Sequence, residues 1–157
     1  KFKVMNKNLI ITICIFAIFI NNNIFADEIN IISEKLHVDR NKNISVFTGK
    51  VHAWNDNFEI WSEKLITEFN EGKKDVKKII AKNQVKIIKD EMIITGSQGI
   101  YVPIENKINV IGKIMINNNG NIIYCDELTL DLENSVSIMK SSKSKKVEAI
   151  ILMKEKL

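Results

Sequence analysis

Apolar and polar residues alternate with a period of two along most of this chain. Ile79, Ala81, Asn83, Val85 and Ile87 alternate with Ile80, Lys82, Gln84, Lys86 and Ile88. Ile108, Val110, Gly112, Ile114 and Ile116 alternate with Asn109, Ile111, Lys113 and Met115, and Leu128, Leu130 and Leu132 with Thr129 and Asp131. A strand turns successive side chains to opposite faces, so these windows read as half-buried strands. Helical spacing fits them less well, and β-branched residues dominate. The segments run about ten residues, or roughly 33 Å at ~3.3 Å per residue. Asn, Asp and Gly cluster between them, at Asp39–Asn43, Asn55–Asn57, Asn70–Asp75, Lys89–Glu91, Pro103–Lys107, Asn117–Asn121, Glu133–Ser135 and Lys140–Lys146. Turns need positive φ or local side-chain caps, which these residues supply. Long strands joined by short turns predict an all-β chain built as one antiparallel meander.

Two phrases repeat along the meander. Ser33-Glu34-Lys35-Leu36 recurs as Ser62-Glu63-Lys64-Leu65, and in degraded form as Ser97-Gln98-Gly99-Ile100 and Cys125-Asp126-Glu127-Leu128. Their starts lie 29, 35 and 28 residues apart. A second phrase keeps step: Thr48-Gly49-Lys50-Val51, Lys82-Asn83-Gln84-Val85 and Ile111-Gly112-Lys113-Ile114. A period of roughly 30 residues marks stacked supersecondary units, none able to bury its apolar face alone. Gly49, Asn83 and Gly112 interrupt strands at matching points. Glycine inside a strand marks a bulge or bend, and Asn tolerates left-handed geometry best among the other residues. A sheet bent along this line would fold over on itself with one apolar face inside. That interior could be a packed core, or could stay partly open to an apolar ligand.

The first 26 residues change the picture of where the chain works. Lys1, Lys3 and Lys7 form a basic head, Leu9–Ile20 is apolar but for Thr12, and Asn21-Asn22-Asn23 and Ile24-Phe25-Ala26 follow. That is the order of a secretory signal, with cleavage after Ala26. Twelve residues at about 1.5 Å each span roughly 18 Å, short of a ~30 Å hydrocarbon core. Residues 1–26 are therefore read as a signal peptide, helical as such segments are, and 27–157 as a single domain. The formal net charge of +4 includes three lysines of the signal, so a mixed surface remains and no nucleic-acid footprint.

Candidate chemistry is sparse. Ser33, His37 and Asp39 share one strand face by parity, but a straight strand does not converge a nucleophile, base and acid. His52 is isolated, and two histidines give no zinc spacing. Cys125, alone in the exported domain, reads as a buried small hydrophobe. Trp54 and Trp61 flank a turn and read as a pair closing a hairpin across its strands. The basic run Lys140–Lys146 reads as a solvated loop before the last strand, with contact to lipid phosphates as the rival. Neither catalysis, a metal nor a cofactor is expected.

Ile31–Asp39, followed by Phe47-Thr48-Gly49-Lys50-Val51, resembles the opening of the lipopolysaccharide-transport protein A, organic-solvent-tolerance A-like (OstA-like) family. The similarity runs over about residues 29 to 152. Asn83 stands where the repeat has Gly, and Gln98-Gly99 where it has an acidic-Lys pair. The resemblance implies a bent antiparallel β-jellyroll, and a non-enzymatic periplasmic carrier whose apolar groove holds the acyl chains of lipopolysaccharide. It implies same-fold partners, one anchored in the inner membrane and one in the outer-membrane translocon, and possible head-to-tail self-assembly. Strand parity assigns Ile29, Ile31, Val85, Ile87, Ile100, Val102, Ile114 and Ile116 to the lipid-facing side. Ile29 and Ile31 at one end, and Val147, Ala149 and Ile151 at the other, are assigned to partner edges. The alternatives are a same-fold scaffold that keeps Leu9–Ile20 as an inner-membrane anchor and, from another class, an exported hydrolase.

Overall fold

The computed structural model describes residues 28–72, 75–142 and 144–153. The signal segment 1–26 lies outside them. The described residues form one antiparallel sheet. Its strands are β1 (Asn30–Ile32), β2 (Lys35–Asp39), β3 (Ile44–Trp54), β4 (Glu59–Phe69), β5 (Val76–Lys89), β6 (Met92–Val102), β7 (Lys107–Asn118), β8 (Asn121–Asp131), β9 (Val136–Lys140) and β10 (Glu148–Ile150). The six central strands, β3 to β8, follow one another as a meander. They run 11 to 14 residues, as the long alternating windows predict. β1 and β2 both pair with β3 and form one interrupted edge, while β9 and β10 both pair with β8 and form the other. Each turn cluster named from the sequence separates two strands. Pro103 opens a single 3-10 turn, where its missing N–H does no harm.

The sheet bends along a line of bulges. Gly49-Lys50 in β3, Asn83-Gln84 in β5 and Gly112-Lys113 in β7 all have positive φ, between 46° and 85°. The strand pairing shifts at each of them. On one side of each bulge two residues stand against one: Gly49-Lys50 against Glu63, Asn83-Gln84 against Ser97, and Gly112-Lys113 against Asp126. An extra residue on alternate strands, repeated at one level, turns the whole sheet through a corner. A Cβ on Gly112 would come within 2.6 Å of Ser97 Oγ, so the corner has no room for one.

The recurring Ser-Glu-Lys-Leu phrase lies opposite these bulges. The Ser62 hydroxyl donates to the Lys64 carbonyl at 3.1 Å, and the Ser33 hydroxyl donates to the Lys35 carbonyl at 3.2 Å. The same local bond thus turns two copies of the phrase. In β6 the register corrects the sequence alignment by one residue. Lys82 pairs with Gln98 and Ala81 with Gly99, as Thr48 pairs with Lys64 and Phe47 with Leu65. The third copy is therefore Gly96-Ser97-Gln98-Gly99, not Ser97-Gln98-Gly99-Ile100.

That shift decides which residues face inward. In β3, β5 and β7 the bulge preserves parity: Ile79, Ala81, Val85 and Ile87 are all buried, as are Ile108, Val110, Ile114 and Ile116. In β4, β6 and β8 parity switches at the corner. Ile60 and Ser62 are buried on one side of it and Leu65 and Thr67 on the other, and Cys125 gives way to Leu128 and Leu130. In β6, Ile94 and Tyr101 are core residues. Ile100 and Val102 consequently lie on the outer face, where Ile100 pairs with half-buried Ile80 and Asn109. A slip of one residue turns a strand over, and their inward assignment fails for that reason.

Candidate functional site

The inner face carries a continuous apolar row from edge to edge. In the leaf of the bent sheet that holds β1 and β10, the register aligns Ile31, Ala53, Ile60, Ile87, Ile94, Ile116, Ile123 and Ala149, one from each strand. At ~4.8 Å between strands this row spans roughly 34 Å. The other leaf carries Leu36, Phe47, Leu65, Ala81, Gly99, Val110, Leu128 and Met139. Both rows run across the strands, the direction in which further strands would add.

The two leaves meet in one core. A Cβ on Gly99 would touch Val85 and Ile87 of the opposite leaf at 3.4 Å, and one on Gly96 would lie 2.7 Å from Val110. Far from the corner, Phe58 in the β3–β4 turn packs edge-on against Tyr101, ring centroids 4.8 Å apart. The middle of the row is closed: Ile87 and Ile94 are fully buried and Ile116 is 1% exposed. The ends differ. Ile31 and Ile123 are only partly buried, Ala149 is exposed, and Leu36 at the first edge is 54% exposed.

Of the residues assigned from parity, Val85, Ile87, Ile114 and Ile116 belong to this core, and Ile29 and Ile31 pack against its first edge. Sequence reasoning missed Ala53, Ile60, Ile94 and Ile123, which complete the row. For Ile60, Ile94 and Ile123, the strands alternate clearly only when read in two halves with the frame changed at the corner; Ala53 lies in β3, where parity is kept. At the last edge, only Ala149 lies within the three-residue β10; Val147 precedes it, Ile151 follows, and all three are exposed.

The polar candidates have local work. His52 is not isolated: its ring stacks on Trp54 and Trp61, with centroids 4.7 and 4.4 Å away, and its Nε2 lies 3.0 Å from Glu59 Oε2. The two indoles thus close their hairpin through His52. Asp39 caps its turn, accepting from the backbone N–H groups of Asn41 and Lys42, and the Lys42 ammonium holds its carboxyl below the usual range. Cys125 is buried, and burial pushes its thiol up, with the Asp126 charge adding to the effect. Asp126 accepts from the Ser142 N–H at 3.0 Å and from Lys145 Nζ at 3.4 Å, so the basic run is tied to β8. Those bonds, the Ser142 N–H above all, hold the Asp126 carboxyl below its ordinary value.

A family model described as the LptA and LptD N-terminal-domain lipopolysaccharide-transport protein matches residues 30–136. The chain belongs to this family. The LptA-type fold is also that of LptH, the LptA-homologous periplasmic component of the lipopolysaccharide transport device of Pseudomonas aeruginosa. Its crystal structure superposes with a TM-score of 0.71 at 9% identity, over 81% of this chain and 96% of that one. No curated protein matches the chain. The family matched is one of transport proteins and not of hydrolases.

Proposed function

We propose that this protein is a non-enzymatic periplasmic carrier of lipopolysaccharide, exported with its signal cleaved after Ala26. It holds lipid A acyl chains against the inner row and bridges inner- and outer-membrane components of the same fold. The observation that carries this reading is the edge-to-edge row through Ile60, Ile87, Ile94 and Ile116. Each methylene buried there gains about 0.8 kcal/mol, and an aliphatic wall offers no directional bond to hold a chain in one place. An acyl chain can therefore slide across the strands. The packed centre requires the leaves to part around the cargo, and the corner of bulges is the natural hinge.

The edges fit the bridging role. Most exposed large hydrophobic residues lie on the edge strands or just beyond β10: Ile32, Leu36 and Val38 at one edge, Val136, Ile138 and Ile150 at the other. Open strand edges of this kind recruit further strands. A same-fold partner paired at β1–β2 or at β9–β10 would cover them and continue the row.

A photo-crosslinking side chain at Ile87 or Ile116 should capture lipopolysaccharide, while one at Ile88 or Ile93 on the outer face should not. Capture from the outer face alone would overturn the reading. N-terminal sequencing of the exported protein tests the alternative of a membrane-anchored scaffold, which would retain Lys7 in the membrane fraction.

A further inference from the structure

The two edges of the sheet cross the corner differently. At the first edge only Ser33 and Glu34 separate β1 from β2, and the Glu34 N–H donates to the Gly49 carbonyl at 3.0 Å. At the last edge residues 141–142 and 144–147, between β9 and β10, lie outside the sheet, and β8 has no partner on that side at Cys125 and Asp126. Asp126 holds this arc through Ser142 and Lys145. Between arc and sheet lies a cleft of about 830 Å³.

The walls of the cleft are mixed. Met115, Tyr124 and Val147 are apolar or aromatic, Lys113, Lys145 and Lys146 are cationic, and Asp126 and Glu148 are acidic, so the lysines outnumber the carboxylates by one. Ile114 and Cys125, both core residues, also line it, so the cleft adjoins the inner face at its end. Lys145 is engaged by Asp126, whereas no ion pair is formed by Lys113 or Lys146 among the described residues. The bulge fixes the Lys113 backbone at φ 47°, beside the cleft.

We propose that this cleft is a lipid-phosphate site at the last edge. Lys113 and Lys146 bind the phosphate of an anionic lipid, and Met115, Tyr124 and Val147 cover the start of its acyl chain. A bare anion would leave the apolar walls unused, and a neutral lipid would leave the excess of lysine over carboxylate unmatched. An anionic amphiphile matches both, and a phosphate, with several acceptor oxygens, can take both ammonium groups at once. The source of the lipid rests on the carrier reading above; the site itself rests on the cleft.

The test uses the exported chain with a photo-crosslinking side chain at Val147 and, separately, at Ile87, with diphosphoryl lipid A in mixed micelles as probe. Val147 is expected to capture lipid A. Capture should fall about five-fold with fully dephosphorylated lipid A, and similarly in the double variant Lys113→Ala, Lys146→Ala, as loss of two exposed ion pairs implies. Capture at Ile87 in that double variant should persist, which shows the fold intact. Equal capture of dephosphorylated lipid, indifference to the lysine changes, or displacement by millimolar inorganic phosphate alone would each overturn the proposal. So would absence of capture at Val147 where Ile87 captures. The reverse result, capture at Val147 without Ile87, would support the cleft and sink the interior route.

Discussion

Gly112 and Asn83 occupy equivalent places in neighbouring bulges, yet substitution should be costly at one and nearly neutral at the other. Gly112 sits at φ +85° with Ser97 Oγ 2.6 Å from where a Cβ would lie. Gly112→Val adds a β-branched side chain in left-handed geometry and should cost about 1–3 kcal/mol, read as a lower urea midpoint. Asn83 is at φ +64°. In Asn83→Gly the relieved strain of about 1 kcal/mol is offset by a comparable gain in unfolded-chain freedom, so the midpoint should barely move. Asp126 gives a pH test. Its folded pKa lies below its ordinary value of 3.8, so its bonds to the arc are complete at neutral pH and are lost as pH falls through that lower folded value. The Ser142 amide proton should follow this titration by NMR, with a midpoint under 3.8, and should not follow it in Asp126→Asn.

At the scale of the strand, β6 is the sharpest case. Ile93 and Ile94 are adjacent and chemically identical, but Ile93 is 36% exposed and Ile94 is fully buried. Ile94→Ala should cost about 2–5 kcal/mol and Ile93→Ala under about 1 kcal/mol by denaturant unfolding. Past the corner the sense of parity is reversed, so Ile100→Ala should resemble Ile93→Ala, although Ile100 is an even-numbered position like Ile94. Alternation within each half-strand was legible in the sequence. The change of frame between the halves was not. A bulge adds its extra residue to one strand, and the effect on parity falls on the neighbour that has none; β6 has Gly96 and Gly99 at its corner, but neither takes the left-handed geometry of a bulge, and β4 and β8 have no glycine there.

Across the whole molecule the edges decide behaviour. Heterologous pairing of β9–β10 with β1–β2 of another copy does not close on itself and should give open chains of variable length. Light scattering over a concentration series should show growth beyond a dimer, and deletion from Val147 onward should weaken or abolish it. A strict monomer at high concentration would leave pairing with a different same-fold protein as the only use for these edges. Leu36 and Val38, exposed on the inner face of the first edge, are the residues such pairing would cover.

The sequence by itself determined the all-β meander, the length of its six central strands, the turns between them and the line of the corner; the short edge strands and the break at Ser33-Glu34 it did not. These follow from local rules: alternation places side chains, and Gly, Asn and Asp accept the backbone angles that turns and bulges need. It also carried the family, through the order and spacing of two short phrases. Tertiary structure alone decided that Ile100 and Val102 lie outside while Ile60 and Ile94 lie inside, because pairing register fixes facing and register depends on the neighbouring strand. It alone joined His52 to Trp54, Trp61 and Glu59, which sit on two strands. It alone set Lys113 beside Lys146, 33 positions later in the chain, across a cleft that exists only because the last edge turns its corner with a long arc.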